Sequence, residues 1–333
     1  MNRPNGEQQD AKTYPWGDQR PIYTYTQYIR RLFGARVQKL TIDAGFSCPH
    51  RGDRLDQLGC TYCRNEAFNP SYCTPRKSVA QQLREGMEFH ARRYRRASRY
   101  LAYFQAYTNT LAPLAELREL YGQALHDERV LGLVIGTRPD CLPDDIIGYL
   151  ADIARTHHVF VELGAESMHD STLLRVNRGH DARTTRQAVE NLHAAGLRVG
   201  LHLIFGLPGE DEAMMLQSLR QACALPIASL KFHQLQILEG TAMAKDYELH
   251  PADYPLFTLE GYLNFLTRAV PHVPPTVAIE RICAEAPPRY LIAPLWERLR
   301  NDQILRRFEA LLQEQGFYQG CARSEADATG SRG

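Results

Sequence analysis

Between Val37 and Leu238 the chain repeats one rhythm, a short run rich in β-branched and aromatic residues followed by a longer stretch of helical periodicity. The β-rich runs fall at 37–44, 100–105, 130–136, 159–164, 199–205 and 230–238. The helical stretches fall at 78–96, 111–126, 143–155, 182–195 and 211–224. Strands joined through a helix run parallel, because only a crossover of that length returns the chain to the end where the previous strand began. The pattern therefore predicts an α/β fold of six βα units. Barrels and doubly wound sheets collect their chemistry at the carboxyl ends of the strands, so the residues that close each run are the candidate site.

The flanks read differently. A polar start leads into a short helix at 23–33 rich in tyrosine and arginine, and residues 1–36 form an N-terminal extension to a core at 37–240. After Glu239 the alternation stops and prolines multiply, from Pro251 to Pro294. A helix at 259–269, a strand at 276–282 and a helix at 295–315 make a C-terminal extension, 241–321, expected to cover the open side of the core. Residues 322–333 are small and polar and read as a disordered tail.

No run of about 18 apolar residues exists, and the first nineteen residues lack an apolar core, so neither a membrane span nor a secretory signal is expected. Cytoplasmic localisation follows as the expectation, and eight cysteines fit a reducing compartment better than a disulfide framework. The net charge of +1 is not that of a protein that coats nucleic acid. Charge is clustered locally, however: Arg84, Arg92, Arg93, Arg95, Arg96 and Arg99 fall within sixteen residues. Such a cluster is either a phosphate-tracking stripe or a solvated helix face.

The loop after the first strand carries three thiols, Cys48, Cys60 and Cys63. The Cys60-Thr61-Tyr62-Cys63 spacing lets one backbone turn aim two sulfurs at one centre, while eleven residues let Cys48 close from the other side. Three thiolates on a four-iron cluster leave one iron open to a chelating cofactor. With His50 nearby, the same three cysteines also fit a tetrahedral structural zinc.

The loop, Tyr62, and the strand leading into it resemble the radical S-adenosylmethionine (SAM) superfamily, and within it the Elp3-like branch and its YhcC family. The resemblance runs from about Val37 to at least Trp296, and the eleven-residue spacing belongs to this branch, where the wider superfamily usually has three. It implies a partial (β/α)6 barrel of the TIM type, a 4Fe-4S cluster on Cys48, Cys60 and Cys63, and SAM on the open iron. It also implies reductive cleavage of SAM to a 5′-deoxyadenosyl radical, with an electron donor such as flavodoxin or ferredoxin.

Taken strand by strand, the resemblance and the strand-end rule nominate the remaining site residues. Tyr62 is placed to seat the adenine. Where many relatives carry Gly-Gly-Glu after the second strand, this chain has the Elp3-like form, which makes Gln105, Asn109 and Thr110 contacts for SAM; Asn109 or Thr110 also fits a helix cap. The third strand ends at Arg138, Asp140 and Cys141, with Cys141 a candidate hydrogen donor or radical relay and Asp140 able simply to pair with Arg138. On the fourth strand Glu162 is a candidate base partner, and Glu166, where relatives usually have Gln, is a candidate ribose contact that accepts a hydrogen bond but does not donate one. Arg178, in a segment resembling the family's Asn-Arg-Gly-His, suits an anionic group. His202, Phe205 and Gly206 form the turn where an adenine ring can lie, Leu238 offers backbone to its edge, and Lys231 and His233 point to the cavity as catalytic candidates.

Relation to Elp3 makes a tRNA base, such as a wobble-uridine side chain, the leading substrate expectation. A small-molecule or protein substrate is the alternative that the near-neutral charge favours. A zinc-stabilised RNA-binding or scaffold protein without catalysis is the alternative of another class.

Overall fold

Lys39, on the first strand, and Glu280, on the last, bond to each other across the interior, so the two edges of the sheet face one another. The computed structural model describes residues 12–51, 59–93, 98–296 and 299–323. Its main sheet has seven parallel strands: β1 (Val37–Ile42), β2 (Arg99–Phe104), β3 (Val130–Thr137), β4 (His158–Glu166), β5 (Arg198–Phe205), β6 (Ser229–Gln234) and β8 (Ala278–Arg281). They lie side by side in that order and curl into a partial barrel. A small antiparallel pair, β7 (Ile237–Leu238) with β9 (Leu291–Ala293), stands beside it.

The crossovers are α2 (Val79–Arg93), α3 (Leu114–Leu125), α4 (Asp144–Ala154), α6 (Ala182–Ala194) and α7 (Glu212–Cys223). Each lays an apolar stripe on the sheet's outer face, where Leu117, Leu150, Leu192 and Leu219 are wholly buried. Asp181 and Asp211 cap α6 and α7 by accepting from backbone amides of the first turn.

The helix α1 (Tyr25–Phe33) stops the lower end of the barrel. A capping box between Thr24 and Gln27 starts it and Gly34, at φ 67°, ends it. Its Ile29 packs on Leu101, Val134 and Phe160, and Thr24 bridges to Ile279 on β8. The N-terminal extension is thus part of the barrel's closure.

Three expectations change. The run at 230–238 breaks after Gln234: the Leu235 amide makes the last bond of the ladder with β5, to the Phe205 carbonyl, and Ile237–Leu238 then pairs with a different strand. The strand expected to cover the barrel instead extends it: β8 pairs in parallel with β6, giving seven strands where the βα count gave six. The last helix, α10 (Asn301–Glu314), starts later than expected, since Trp296 is bonded to the Phe257 carbonyl in the stretch before it. Two helices went unanticipated, α5 (Asp170–Arg175) and α8 (Ala242–Leu249); α9 (Leu259–Ala269) matches. Of the arginine cluster, Arg84 and Arg99 are exposed, whereas Arg95, Arg96 and the side chains of Arg92 and Arg93 lie outside the described residues, as does the tail beyond Arg323. Among the described residues no helix is long and apolar enough to cross a membrane.

Candidate active site

The cysteine loop leaves the carboxyl end of β1 and is held from two sides. Within it, the Cys63 amide turns back to the Cys60 carbonyl at 3.1 Å and the Gly59 amide to the His50 carbonyl at 3.0 Å. Arg51 adds a third internal bond, donating to the Cys63 carbonyl at 3.2 Å; from outside, Asn177 Nδ2 donates to the Gly59 carbonyl at 2.8 Å and the Thr61 amide reaches the Val176 carbonyl at 3.0 Å. Gly179, at φ 80°, lies so close to His50 that a Cβ there would fall 1.6 Å from Nε2. The 177–179 segment is therefore the clamp on the loop.

All three thiols are half-buried and line one cavity of about 600 Å³ inside the barrel. Burial, and then the neighbouring Cys60, push the Cys63 thiol up to about 12, and burial raises Cys48 as well. Among the described residues no three His, Cys, Asp or Glu side chains form a group that could hold a single metal ion. Around them, buried polar atoms of the cavity wall lack any hydrogen-bond partner: His50 Nε2, Arg178 Nε, His202 Nε2 and Gln236 Oε1. A buried polar atom left unpaired costs roughly 1–3 kcal/mol, so a wall with several is built to be completed by a polar ligand. Soft thiolates for iron and these donors and acceptors for an amino acid, ribose and adenine fit a cluster with SAM.

Glu166 is the most constrained wall residue. It sits at φ 65°, in the left-handed region that a side-chain-bearing residue rarely adopts, at a register shift between β4 and β5. The distortion aims its carboxylate between an imidazole and a guanidinium, with His202 Nδ1 3.0 Å away and Arg178 Nη2 3.6 Å away. Burial opposes ionisation, yet His202 and Arg178 hold the carboxyl below the usual range. Arg178 also donates to the Gly164 carbonyl at 2.5 Å and to Cys60 Sγ at 3.5 Å.

Deeper in the barrel, five strands contribute a charged layer. Lys39 bonds Glu162 at 2.5 Å and Glu280 at 2.8 Å; Lys231 bonds Glu162 and reaches the Tyr103 hydroxyl at 3.0 Å. Burial works against the charge on Glu162, but Lys231 and Lys39 outweigh it and hold the carboxyl far below its ordinary range. His233 is neutral, because burial, then His202 and Arg281, push its pKa well down. Its ring meets that of His202 edge-on, centroids 4.1 Å apart.

Of the residues nominated from sequence, Tyr62, Gln105, Glu162, Glu166, Arg178, His202, Lys231, His233 and Leu238 share this cavity with the three cysteines. Five do not line it. Asn109 spends its amide on the Gly136 carbonyl at 2.7 Å, and Thr110 its hydroxyl on Thr137 at 2.6 Å, so both tie the loop after β2 to the end of β3. Phe205 is core, packed on Phe232 and Phe265, and Gly206 lies behind it against Phe257. Cys141 opens into a separate shallow hollow with Pro49 and Leu142, its thiol pushed up to about 12 by burial and then by Asp140. Arg138 does line the main cavity, and Asp140, which lies in the outer hollow, pairs with its Nε and Nη2 at 2.9 and 2.8 Å. Sequence reasoning missed Tyr25, Tyr103 and Thr108, whose hydroxyl stands 3.1 Å from Cys48 Sγ. Lys39 carried a visible signal, a cation in mid-strand.

Comparison with known proteins agrees with this geometry. Residues 48–222 match the Radical SAM superfamily and residues 227–313 the Radical_SAM C-terminal domain. Protein YhcC of Escherichia coli is 39% identical over 269 residues, 80% of this chain and 85% of that protein. A tRNA uridine(34) acetyltransferase of Dehalococcoides mccartyi is 30% identical over 192 residues, 56% of this chain but 40% of that enzyme. The structure of Elp3 from Methanocaldococcus infernus with its N-terminus deleted superposes with a TM-score of 0.63 at 18% identity, covering 73% of this chain and 60% of that one, a likeness of fold. The chain belongs to the radical SAM superfamily, whose members bind a 4Fe-4S cluster and SAM, and is a YhcC-family enzyme of its Elp3-like branch.

Proposed function

We propose that Cys48, Cys60 and Cys63 hold the cluster, that SAM occupies the upper cavity against Tyr62, Gln105, Glu166 and His202, and that the substrate is a tRNA base, such as a wobble-uridine side chain. The observation that carries the cofactor half is the meeting of three thiols and several unpartnered buried polar atoms on one cavity wall. When bound, cluster and SAM supply reductive cleavage to methionine and a 5′-deoxyadenosyl radical. The chain's part is to orient and to exclude water: the α1 plug stops the lower end, and the paired Lys39, Glu162, Lys231 and Glu280 give the chamber a floor with no net charge. The required electron comes from a donor such as flavodoxin or ferredoxin.

The substrate half rests on the shared identity with the tRNA uridine(34) acetyltransferase. The test is anaerobic. Reconstituted protein is given SAM, dithionite and bulk tRNA, and 5′-deoxyadenosine and altered nucleosides are measured by mass spectrometry. A new nucleoside, with binding that weakens steeply as salt rises, supports the reading; SAM cleavage without RNA binding at low salt overturns the tRNA half. One observation favours a second reading. A floor of two lysines and two glutamates suits a small charged substrate, and turnover independent of RNA would select it.

A further inference from the structure

Arg178 and Glu166 stand in line with a cluster ligand, and nothing in the cavity's shape requires either charge. The Arg178 side chain is 7% exposed, Nη1 reaching Cys60 Sγ at 3.5 Å and Nη2 the Gly164 carbonyl at 2.5 Å. Glu166 Oε1 lies 3.6 Å behind the same guanidinium, and a strained left-handed backbone is maintained to put it there. Gly164 leaves the room: a Cβ at that position would lie 2.6 Å from Arg178 Nη2 and 2.4 Å from Glu166 Oε1. Two hydrogen-bond donors thus face two ligand sulfurs, Arg178 at Cys60 and, toward a thiolate, Thr108 at Cys48.

Hydrogen bonds to ligand sulfurs and nearby charge are main determinants of an iron-sulfur potential. A cation beside Cys60 favours the reduced, more negative cluster. A carboxylate on the far side of that cation opposes it. Resting on the cluster assignment above, we propose that the Arg178–Glu166 pair is a charge couple that sets the reduction potential of the cluster, the arginine raising it and the glutamate holding it down. On the cluster both act through Cys60 and not by touching it, an effect separate from the contact of Glu166 with SAM and read in its absence.

The couple predicts shifts of opposite sign, which a merely structural role does not produce. The midpoint potential of the reconstituted cluster is read by redox titration followed by electron paramagnetic resonance, with iron and sulfide counted in each sample. Arg178→Gln is expected to lower the potential and Glu166→Gln to raise it, each by about tenfold in the reduction equilibrium, or ~59 mV for one electron. Arg178→Lys, which keeps the charge but loses the planar fork, recovers part of the Arg178→Gln shift. Should Arg178→Gln hold no iron, Glu166→Gln carries the test alone. Shifts of the same sign, or an unmoved potential in Glu166→Gln, overturn the proposal. A wild-type protein that assembles no cluster overturns the cofactor reading instead.

Discussion

Lys39 Nζ lies 2.8 Å from both carboxylate oxygens of Glu280, a contact that joins the two edge strands of a sheet whose ends never pair through their backbones. With Glu162 and Lys231 it forms a cross-brace of side chains at the point where the barrel is open. Buried ion pairs are weak stabilisers relative to apolar packing, but removing one member strands the others.

Glu162→Gln leaves two lysines with one carboxylate, and the apoprotein should lose about 2–4 kcal/mol of stability in urea denaturation at neutral pH. The pH dependence fixes the sign. The folded-state carboxyl lies far below its ordinary value of 4.5, so its contribution is present above that value and is lost as the pH falls from there toward the depressed folded pKa. Wild-type protein should destabilise more steeply with acid than Glu162→Gln; equal slopes would show that the carboxyl is not paired in solution.

Each of Cys48→Ala, Cys60→Ala and Cys63→Ala should reduce reconstituted iron from about four per chain to near none. Cys321→Ser, at a half-buried thiol far from the loop in sequence, should keep its iron. Zinc at about one per chain in the wild type would return the loop to a structural role.

Asn177, at φ 52°, donates from its side chain to the Gly59 carbonyl at the neck of the cysteine loop. Asn177→Gly preserves the backbone conformation but deletes the bond, and Asn177→Ala loses both. Iron release to a chelator should quicken several-fold in the first and more in the second, since each contribution is worth about 1 kcal/mol. Identical release rates in all three proteins would free the loop from this clamp.

Cys141 lines the outer hollow, away from the cavity of Cys48, Cys60 and Cys63. Cys141→Ala should therefore cleave SAM within about twofold of wild type at the cost of about 1 kcal/mol in stability. A loss of cleavage beyond tenfold with full iron would restore the thiol to the chemistry.

The barrel was legible because parallel βα units write their period into local sequence, and each strand predicted between Val37 and Phe205 lies within about two residues of its place. β8 was legible as a strand but not as a member of the barrel, because that depends on pairing with β6 across a long proline-rich connection, a tertiary fact with no local period. Among site residues, the cysteine spacing marked three thiols that the structure brings to one cavity. Strand-end position proved a coarser guide: it gathered Glu166 and His202 correctly into the cavity but also nominated Phe205, which faces the opposite side of the same strand. Asn109 and Thr110 failed for another reason. A polar residue at a strand end has backbone carbonyls within reach, and these two are taken by Gly136 and by Cys141.

With Ile29 seated on Leu101, Val134 and Phe160, the chamber takes its end wall from outside the strand-and-helix repeat. The strands alone make an open trough; a helix that precedes them in the chain turns the trough into a vessel.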